Sequence, residues 1–263
     1  MTNLNLSEKS KNYYEENDIY EIFSIAEDYP NKIYECLLPQ IKNKIVLDLG
    51  CGTGKFMQKF YDKATKYYGL DLSDQQLNIA KRKVYSNSVE FICCSAENIP
   101  LPDNSVDIII ATWVLGTILE LDRRNKVLAE MRRVLKDNGS IYLVENDTGG
   151  EFEKIRNRYP NIQRTKEYND WIEGNGFSCY NKFETYFKFN DKDQAKNVFS
   201  NIWGNETGDK VNKEIIKQNI IIYKYWIIIL MCFGSGSCRS NYRRFLNKSR
   251  VWNKCLESRT FES

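Results

Sequence analysis

The stretch KIVLDLGCGTG, residues 44–54, decides the fold. A short apolar run, Lys44–Leu49, breaks into glycines at positions 50, 52 and 54. An apolar run of that length ending in glycine reads as a buried parallel strand. Glycines at alternate positions let the chain turn sharply and bring a ligand against bare main chain. The helix expected behind them, to about residue 64, presents an N-terminus that favours polar or anionic groups. The dinucleotide-binding fingerprint is G-x-G-x-x-G. Here the third glycine comes one residue early and Lys55 follows it, so the pattern is D-x-G-x-G-x-G.

Working outward, Tyr67–Leu70 reads as a second strand ending at Asp71, 17 residues after Gly54. A carboxylate at a second strand tip can accept both hydroxyls of a ribose. Alone, the glycine run is a tight turn and Asp71 a capping or solvated acid. Together at adjacent strand tips they point to a nucleoside ligand. Ser73 reads as the N-cap of a helix over 74–84. Val89–Cys93 and Val106–Ala111 read as strands three and four. Asp122 caps a helix to Lys136, closed by Asn138–Gly139, and Ser140–Glu145 is strand five. Residues 10–27 read as an amphipathic helix. Strands alternating with helices predict an α/β doubly wound sheet.

Past residue 150 the spacing predicts a helix over Thr165–Gly174 and a strand over Phe183–Phe189. A helix from Asn190 or Asp191 to Gly204 follows, then a helix over Lys210–Lys217 and a last strand over Ile220–Tyr225. A strand pair near 183–189 and 219–225 would close the sheet.

Composition bounds the chemistry. With 42% hydrophobic and 28% charged residues, the chain is globular and not disordered. It has no histidine, which removes Ser-His-Asp and Cys-His triads, H-E-x-x-H zinc sites and imidazole acid–base chemistry. The net charge of +3 is too small to signal nucleic acid. Residues 226–263 carry seven Lys/Arg against two Glu, so the basic surplus lies there. None of the eight cysteines forms a C-x-x-C pair, and no metal site is expected. The first residues, MTNLNLSEKSKNYYEEN, hold no apolar signal core, so the expected compartment is a reducing cytoplasm. The longest apolar run, Tyr225–Phe233, is far short of the ~20 residues of a membrane span. GSGSCRS at 234–240 resembles a phosphate loop, but Phe233, Cys238 and Arg239 stand where that motif needs Gly, Gly and Lys.

The sequence resembles the class I S-adenosylmethionine-dependent methyltransferases, in the ubiquinone- and menaquinone-biosynthesis style. VLDLGCGTG (46–54) is similar to the family's first motif and YYGLDLSDQQLNIAKRK (67–83) to its second. SAENIPLPDNSVDIIIATWVL (95–115) is similar to the third and fourth, and MRRVLKDNGSIYLVE (131–145) to the element entering strand five. The resemblance implies a Rossmann-like, mostly parallel seven-stranded sheet with an antiparallel last strand. It also implies S-adenosyl-L-methionine as methyl donor. Asp48 and the loop Gly50, Cys51, Gly52 and Gly54 would hold the methionine part. Asp71 would bind the ribose, Leu72 would pack on adenine, and Ser95, Ala96 and Glu97 would border its edge. Thr112, with Ala111, would lie beside the sulfonium, and Trp113 would contact the acceptor. Tyr13 and Tyr14, in a lid helix within residues 1–30, are the other substrate candidates.

Two departures stand out: Ser95 replaces a frequent Asp, and Gly116 a frequent His. No residue is singled out as catalytic; Tyr13, Tyr14, Glu145 and Asp147 are equal candidates for a base. The expected domain is 1–225, with 226–263 a basic C-terminal appendage, read as the degraded start of a second domain or a partner-binding tail. The expected activity is methyl transfer to a small-molecule acceptor, with no nucleic-acid signal, no membrane span and an oligomeric state left open. The alternatives are RNA or protein methylation, a nicotinamide-dependent oxidoreductase, and a non-catalytic S-adenosylmethionine-binding scaffold.

Overall fold

The computed structural model describes residues 17–151, 162–214 and 221–234. Strands β1 (Ile45–Leu49), β2 (Lys66–Asp71), β3 (Val89–Cys93), β4 (Val106–Thr112), β5 (Leu135–Gly150), β6 (Ser178–Phe189) and β7 (Ile221–Phe233) form one sheet. Their order is β3-β2-β1-β4-β5-β7-β6. β1 to β5 run parallel, and β7 runs antiparallel to both β5 and β6. The seven strands and the antiparallel final strand match the expected sheet.

The chain steps outward from β1 to β3, then returns to place β4 on the other side of β1. That reversal makes the carboxyl ends of β1 and β4 a topological switch point, where ligands bind in sheets of this type. The glycine loop leaves β1 at this place.

Side chains alternate across the sheet with period two. Val46, Ile108, Ile110, Tyr142, Val144, Ile227 and Ile229 face one layer. That layer contains α1 (Asn17–Ala26), α2 (Lys32–Ile41), α3 (Met57–Phe60) and α7 (Lys192–Trp203). Leu47, Leu49, Ile109, Ile141, Leu143, Ile228 and Leu230 face the other, which contains α5 (Leu121–Val134) and α6 (Ile162–Gly174). α4 (Asp74–Lys83) begins at Ser73, whose Oγ accepts from Gln76 N at 3.3 Å, as the sequence predicts. α8 (Asn205–Glu214) follows α7, whose N-cap is Asp191.

The structure corrects several boundaries. β7 continues eight residues beyond Tyr225 to Phe233, and Ile227–Phe233 pair with β5. A strand buried on both faces carries no polar alternation to mark its end; the apolar run is a central strand. α3 ends at Phe60, although Tyr61 N and Ala64 N still donate to the Met57 and Phe60 carbonyls; the Lys63 carbonyl beyond it accepts from Asn43 N at 2.8 Å. α5 begins at Leu121 with Glu120 at its cap, so Asp122 lies in the first turn. It ends at Val134 because Leu135 pairs with Val106. Gly139 therefore caps nothing; a Cβ there would come within 2.7 Å of the Asp107 carbonyl, so the position serves close approach. β6 starts at Ser178, α6 at Ile162, and the helix expected over Lys210–Lys217 is α8. Tyr13, Tyr14 and residues 235–263 lie outside the described residues.

Candidate functional site

Gly50, Gly52 and Gly54 all adopt left-handed backbone, with φ of 71°, 54° and 80°. Position 50 is also crowded: a Cβ would meet Val114 Cγ2 at 2.5 Å. The N–H groups of Gly50 and Cys51 both donate to the Leu70 carbonyl, at 2.7 and 3.0 Å, which fastens the loop to β2. Gly52 N donates to Asp71 Oδ2 at 2.9 Å, and Ser73 N to Asp71 Oδ1 at 2.8 Å. The two features that the sequence set 17 residues apart are thus joined by a direct bond. Asp71 is 6% exposed. Burial raises its pKa, against the lowering pull of the Ser73 and Gly52 amides.

Behind the loop, Tyr67 OH donates to Asp48 Oδ2 at 2.9 Å. Asp48 Oδ1 is buried and has no hydrogen-bond partner among the described residues. Burial pushes the Asp48 carboxyl up to about 7; Tyr67 opposes this and neighbouring Asp71 adds to it. Cys51 is buried, and burial with the two nearby carboxylates raises its thiol pKa well above the ordinary value. Such a thiol is inert as a nucleophile.

At the rim, Leu72 is exposed. Ser95 Oγ accepts from Glu97 N at 3.2 Å, and Ala96 packs on the α5 side of the sheet. The Glu97 carboxylate turns to α5, 2.7 Å from Arg123 Nε and 3.8 Å from Lys126 Nζ. Thr112 ends β4. Trp113 follows with φ of 57°, a strained value for a bulky residue. Its N–H donates to the Val144 carbonyl at 2.8 Å and its Nε1 to Asn146 Oδ1 at 2.9 Å. Its ring centroid lies 6.5 Å from that of Phe56, and Lys55 Nζ sits 5.7 Å away. The loop, Asp48, Asp71, Leu72, Thr112 and Trp113 therefore share the carboxyl end of the sheet.

Sequence reasoning expected a lid helix within residues 1–30 but missed the contacts that hold α1 and its following turn over the loop. Lys55 Nζ donates to the Glu27 carbonyl at 2.6 Å and lies 3.5 Å from Glu27 Oε2. Burial pushes Glu27 up to about 7 against the pull of Lys55. Lys83 donates to the Thr53 carbonyl at 3.0 Å and pairs with Glu21 on α1. A Cβ on Gly52 would lie 3.0 Å from Gln76 Oε1 and 3.4 Å from Tyr20 OH. α1 and the turn after it are thus pinned over the loop. The neighbouring acid Glu145, on β5 just past its last pairing with β4, accepts from Gly116 N at 3.1 Å and Tyr168 OH at 2.8 Å. A cavity of about 410 Å³, lined by Lys44, Asp107 and Lys136 among others, lies at the opposite, amino-terminal end of the strands.

A methyltransferase-domain family model matches residues 47–143. A ubiquinone/menaquinone biosynthesis C-methyltransferase from Campylobacter jejuni is 32% identical over 128 residues, 45% of this chain and 52% of that protein. Over its central part the chain is thus similar to S-adenosylmethionine-dependent methyltransferases. A malonyl-[acyl-carrier protein] O-methyltransferase from Buchnera aphidicola is 26% identical over 76% of this chain and 82% of that one. The chain spans about half the length of the Campylobacter relative that it matches. Among solved structures, the YcgJ protein of Bacillus subtilis shares the fold with a TM-score of 0.51 and 18% identity, over 75% of this chain and 96% of that one. A SAM-dependent methyltransferase from Aquifex aeolicus does so with a TM-score of 0.50 and 19% identity, over 85% and 98%. Among the described residues no helix is long and apolar enough to cross a membrane.

Proposed function

We propose that this chain binds S-adenosylmethionine over the glycine loop and directs its methyl group to a small-molecule nucleophile. One observation carries the reading: Asp71 is held by a loop amide at the switch point of the sheet. Its two oxygens each accept one amide bond and keep lone pairs for two ribose hydroxyls. The orphan Asp48 Oδ1 supplies a buried acceptor for an ammonium group, and the three glycines leave a bare backbone cradle. These features fit the donor's ribose and methionine ends. The donor supplies an already activated methyl carbon.

The chain's work is then to orient and to exclude water. Leu72 offers an apolar surface to the adenine, and Ser95 and Ala96 border it. Glu97 contributes through its backbone, since its carboxylate is committed to Arg123 and Lys126. Thr112 and Trp113 form the wall where the acceptor meets the methyl carbon. The names of the relatives, a C-methyltransferase of ubiquinone/menaquinone biosynthesis and a malonyl-[acyl-carrier protein] O-methyltransferase, support a small or carrier-linked acceptor. The six free cysteines among the described residues support a reducing, cytoplasmic setting. The fold domain on this reading runs at least to Phe233.

Calorimetric titration with S-adenosylhomocysteine, with NAD in parallel, tests the assignment. Binding of the first and not the second is expected. Asp71→Ala should weaken that binding by about 10²- to 10⁴-fold, because it removes two charge-assisted hydrogen bonds worth about 1.5–3 kcal/mol each. An Asp71→Ala variant that binds as tightly as the parent removes the ribose assignment. Binding without turnover on any of a phenol, thiol, amine and malonyl-thioester panel would favour a scaffold.

A further inference from the structure

Glu145 sits on β5 one residue past the pairing of Val144 with Thr112, where β4 ends. Trp113 N donates to the Val144 carbonyl at 2.8 Å, so the residue after Val144 lies beside the wall assigned to the acceptor. Two donors reach the Glu145 carboxylate, and both of those bonds fall on Oε1: Gly116 N at 3.1 Å and Tyr168 OH at 2.8 Å. Oε2 takes no part in either. It faces the place where Gly116 lacks a side chain: a Cβ there would lie 2.9 Å from Oε2, and the three nearest atoms all belong to Glu145. Any side chain at 116 would press on this carboxylate, so glycine is what lets it sit there.

We infer that Glu145 is the proton acceptor for a methyl acceptor bearing an acidic hydroxyl of the phenol or enol class, bound against Oε2 at Gly116. This rests on the methyltransferase reading above. The carboxylate already holds one phenolic hydroxyl, that of Tyr168, and its second oxygen can accept another in the same way. The chain has no histidine to do this work. The groups facing Glu145 are Tyr168 from α6, which donates to it, and the Arg124 guanidinium from α5, which lies over the Tyr168 ring at 4.8 Å. Burial pushes the Glu145 carboxyl up to about 7, against the lowering effects of Tyr168, Gly116 and Arg124. A base titrating near neutrality is matched to proton abstraction at neutral pH.

In the step, the acceptor oxygen attacks the methyl carbon of the donor sulfonium. The C–O bond forms, the C–S bond breaks, and its electron pair stays on sulfur. The hydroxyl proton passes to Oε2 of Glu145. One positive and one negative charge are lost together, so the step balances without any further reagent.

The test compares two acceptors on the full chain, read by S-adenosylhomocysteine release: 4-methylphenol, which is protonated at neutral pH and must lose a proton, and 4-nitrothiophenol, which is already a thiolate. S-adenosylhomocysteine affinity is measured alongside for every variant. Glu145→Gln should slow methylation of the phenol by about 10²–10⁴-fold, with thiolate methylation reduced less than tenfold. In the parent chain, kcat/KM for the phenol should fall about tenfold per pH unit below neutrality, while the thiolate rate stays flat. Gly116→Ala should raise KM for the phenol by filling the space beside Oε2.

Equal losses on both acceptors in Glu145→Gln would make the residue structural and overturn the proposal. So would a phenol that is not methylated by a chain that binds S-adenosylhomocysteine and methylates the thiolate. A chain that binds the homocysteine product and methylates neither probe also overturns it. Failure to bind the product at all would instead sink the cofactor reading on which it stands.

Discussion

Gly50 separates conformational from steric demand. Its φ of 71° already disfavours a side chain, and a Cβ would press on Val114 Cγ2 at 2.5 Å. At Gly52 the same Cβ would meet only the ends of Gln76 and Tyr20, at 3.0 and 3.4 Å. Gly50→Ala should therefore cost about 1–3 kcal/mol of stability, read by urea denaturation, and Gly52→Ala less. Gly52→Ala should show its main effect in S-adenosylhomocysteine affinity. Equal stability losses in the two variants would contradict this.

Asp48 gives a pH prediction of its own. Its carboxyl ionises near 4 when unfolded and at about 7 in the fold. A raised folded pKa means stability that is present below about 4 and lost as pH rises through 7. The urea midpoint should thus fall between about pH 4 and 7, with Glu27 and Glu145 contributing in the same direction, and Asp48→Asn should make that slope shallower by the Asp48 share. An unchanged slope in Asp48→Asn would put the titration elsewhere. The loop and Asp71 were legible in the sequence because strand pairing converts local spacing into contact: Leu49 opposes Leu70, so their successors meet.

At the scale of elements, the contact that covers the site joins α1 and its following turn to the residue after the loop. Lys55 and Glu27 lie 28 residues apart, and no periodicity links them. What the sequence shows is a lysine in place of a further glycine, which by itself reads as solvated. In the fold the side chain of this lysine is only 14% exposed, and desolvation lowers its pKa while Glu27 opposes the shift. Glu27→Gln leaves that cation facing a neutral amide and should cost about 2–4 kcal/mol. Adding Lys55→Met should recover most of the loss, because an apolar pair of similar volume is close to neutral. Urea denaturation of the two single variants and the double variant checks this; a double variant less stable than Glu27→Gln alone would contradict it. Helix ends were legible where caps decide them, as at Ser73 and Asp191. They were missed where tertiary pairing decides them, as at Val134, where the helix ends because Leu135 joins β4.

At the scale of the whole molecule, β7 links the parallel half of the sheet to its outer strand β6. The sequence predicted that a strand closes the sheet at this point, and it does. It did not reveal where that strand stops, because Ile227–Cys232 is apolar on both faces and so has no alternation to read. The six residues Ile227, Ile228, Ile229, Leu230, Met231 and Cys232 are all buried, three in each of the two core layers. At about 1.5–3 kcal/mol for each fully buried apolar side chain, they contribute about 9–18 kcal/mol, comparable with or above the ~5–15 kcal/mol by which a whole domain is stable. Cutting the chain after Tyr225 also strips β5 of its Ser140–Asn146 partners and leaves two unpaired inner edges. A chain ending at Tyr225 should therefore fail to fold and should not bind S-adenosylhomocysteine. A chain ending at Gly234 keeps the pairings of β7 with both β5 and β6 and should melt cooperatively. Circular-dichroism melts of the two truncations, with the full chain beside them, decide the matter. A cooperative melt for the shorter one would mean that β6 can dock directly on β5, and that β7 is an addition to the sheet and not its link.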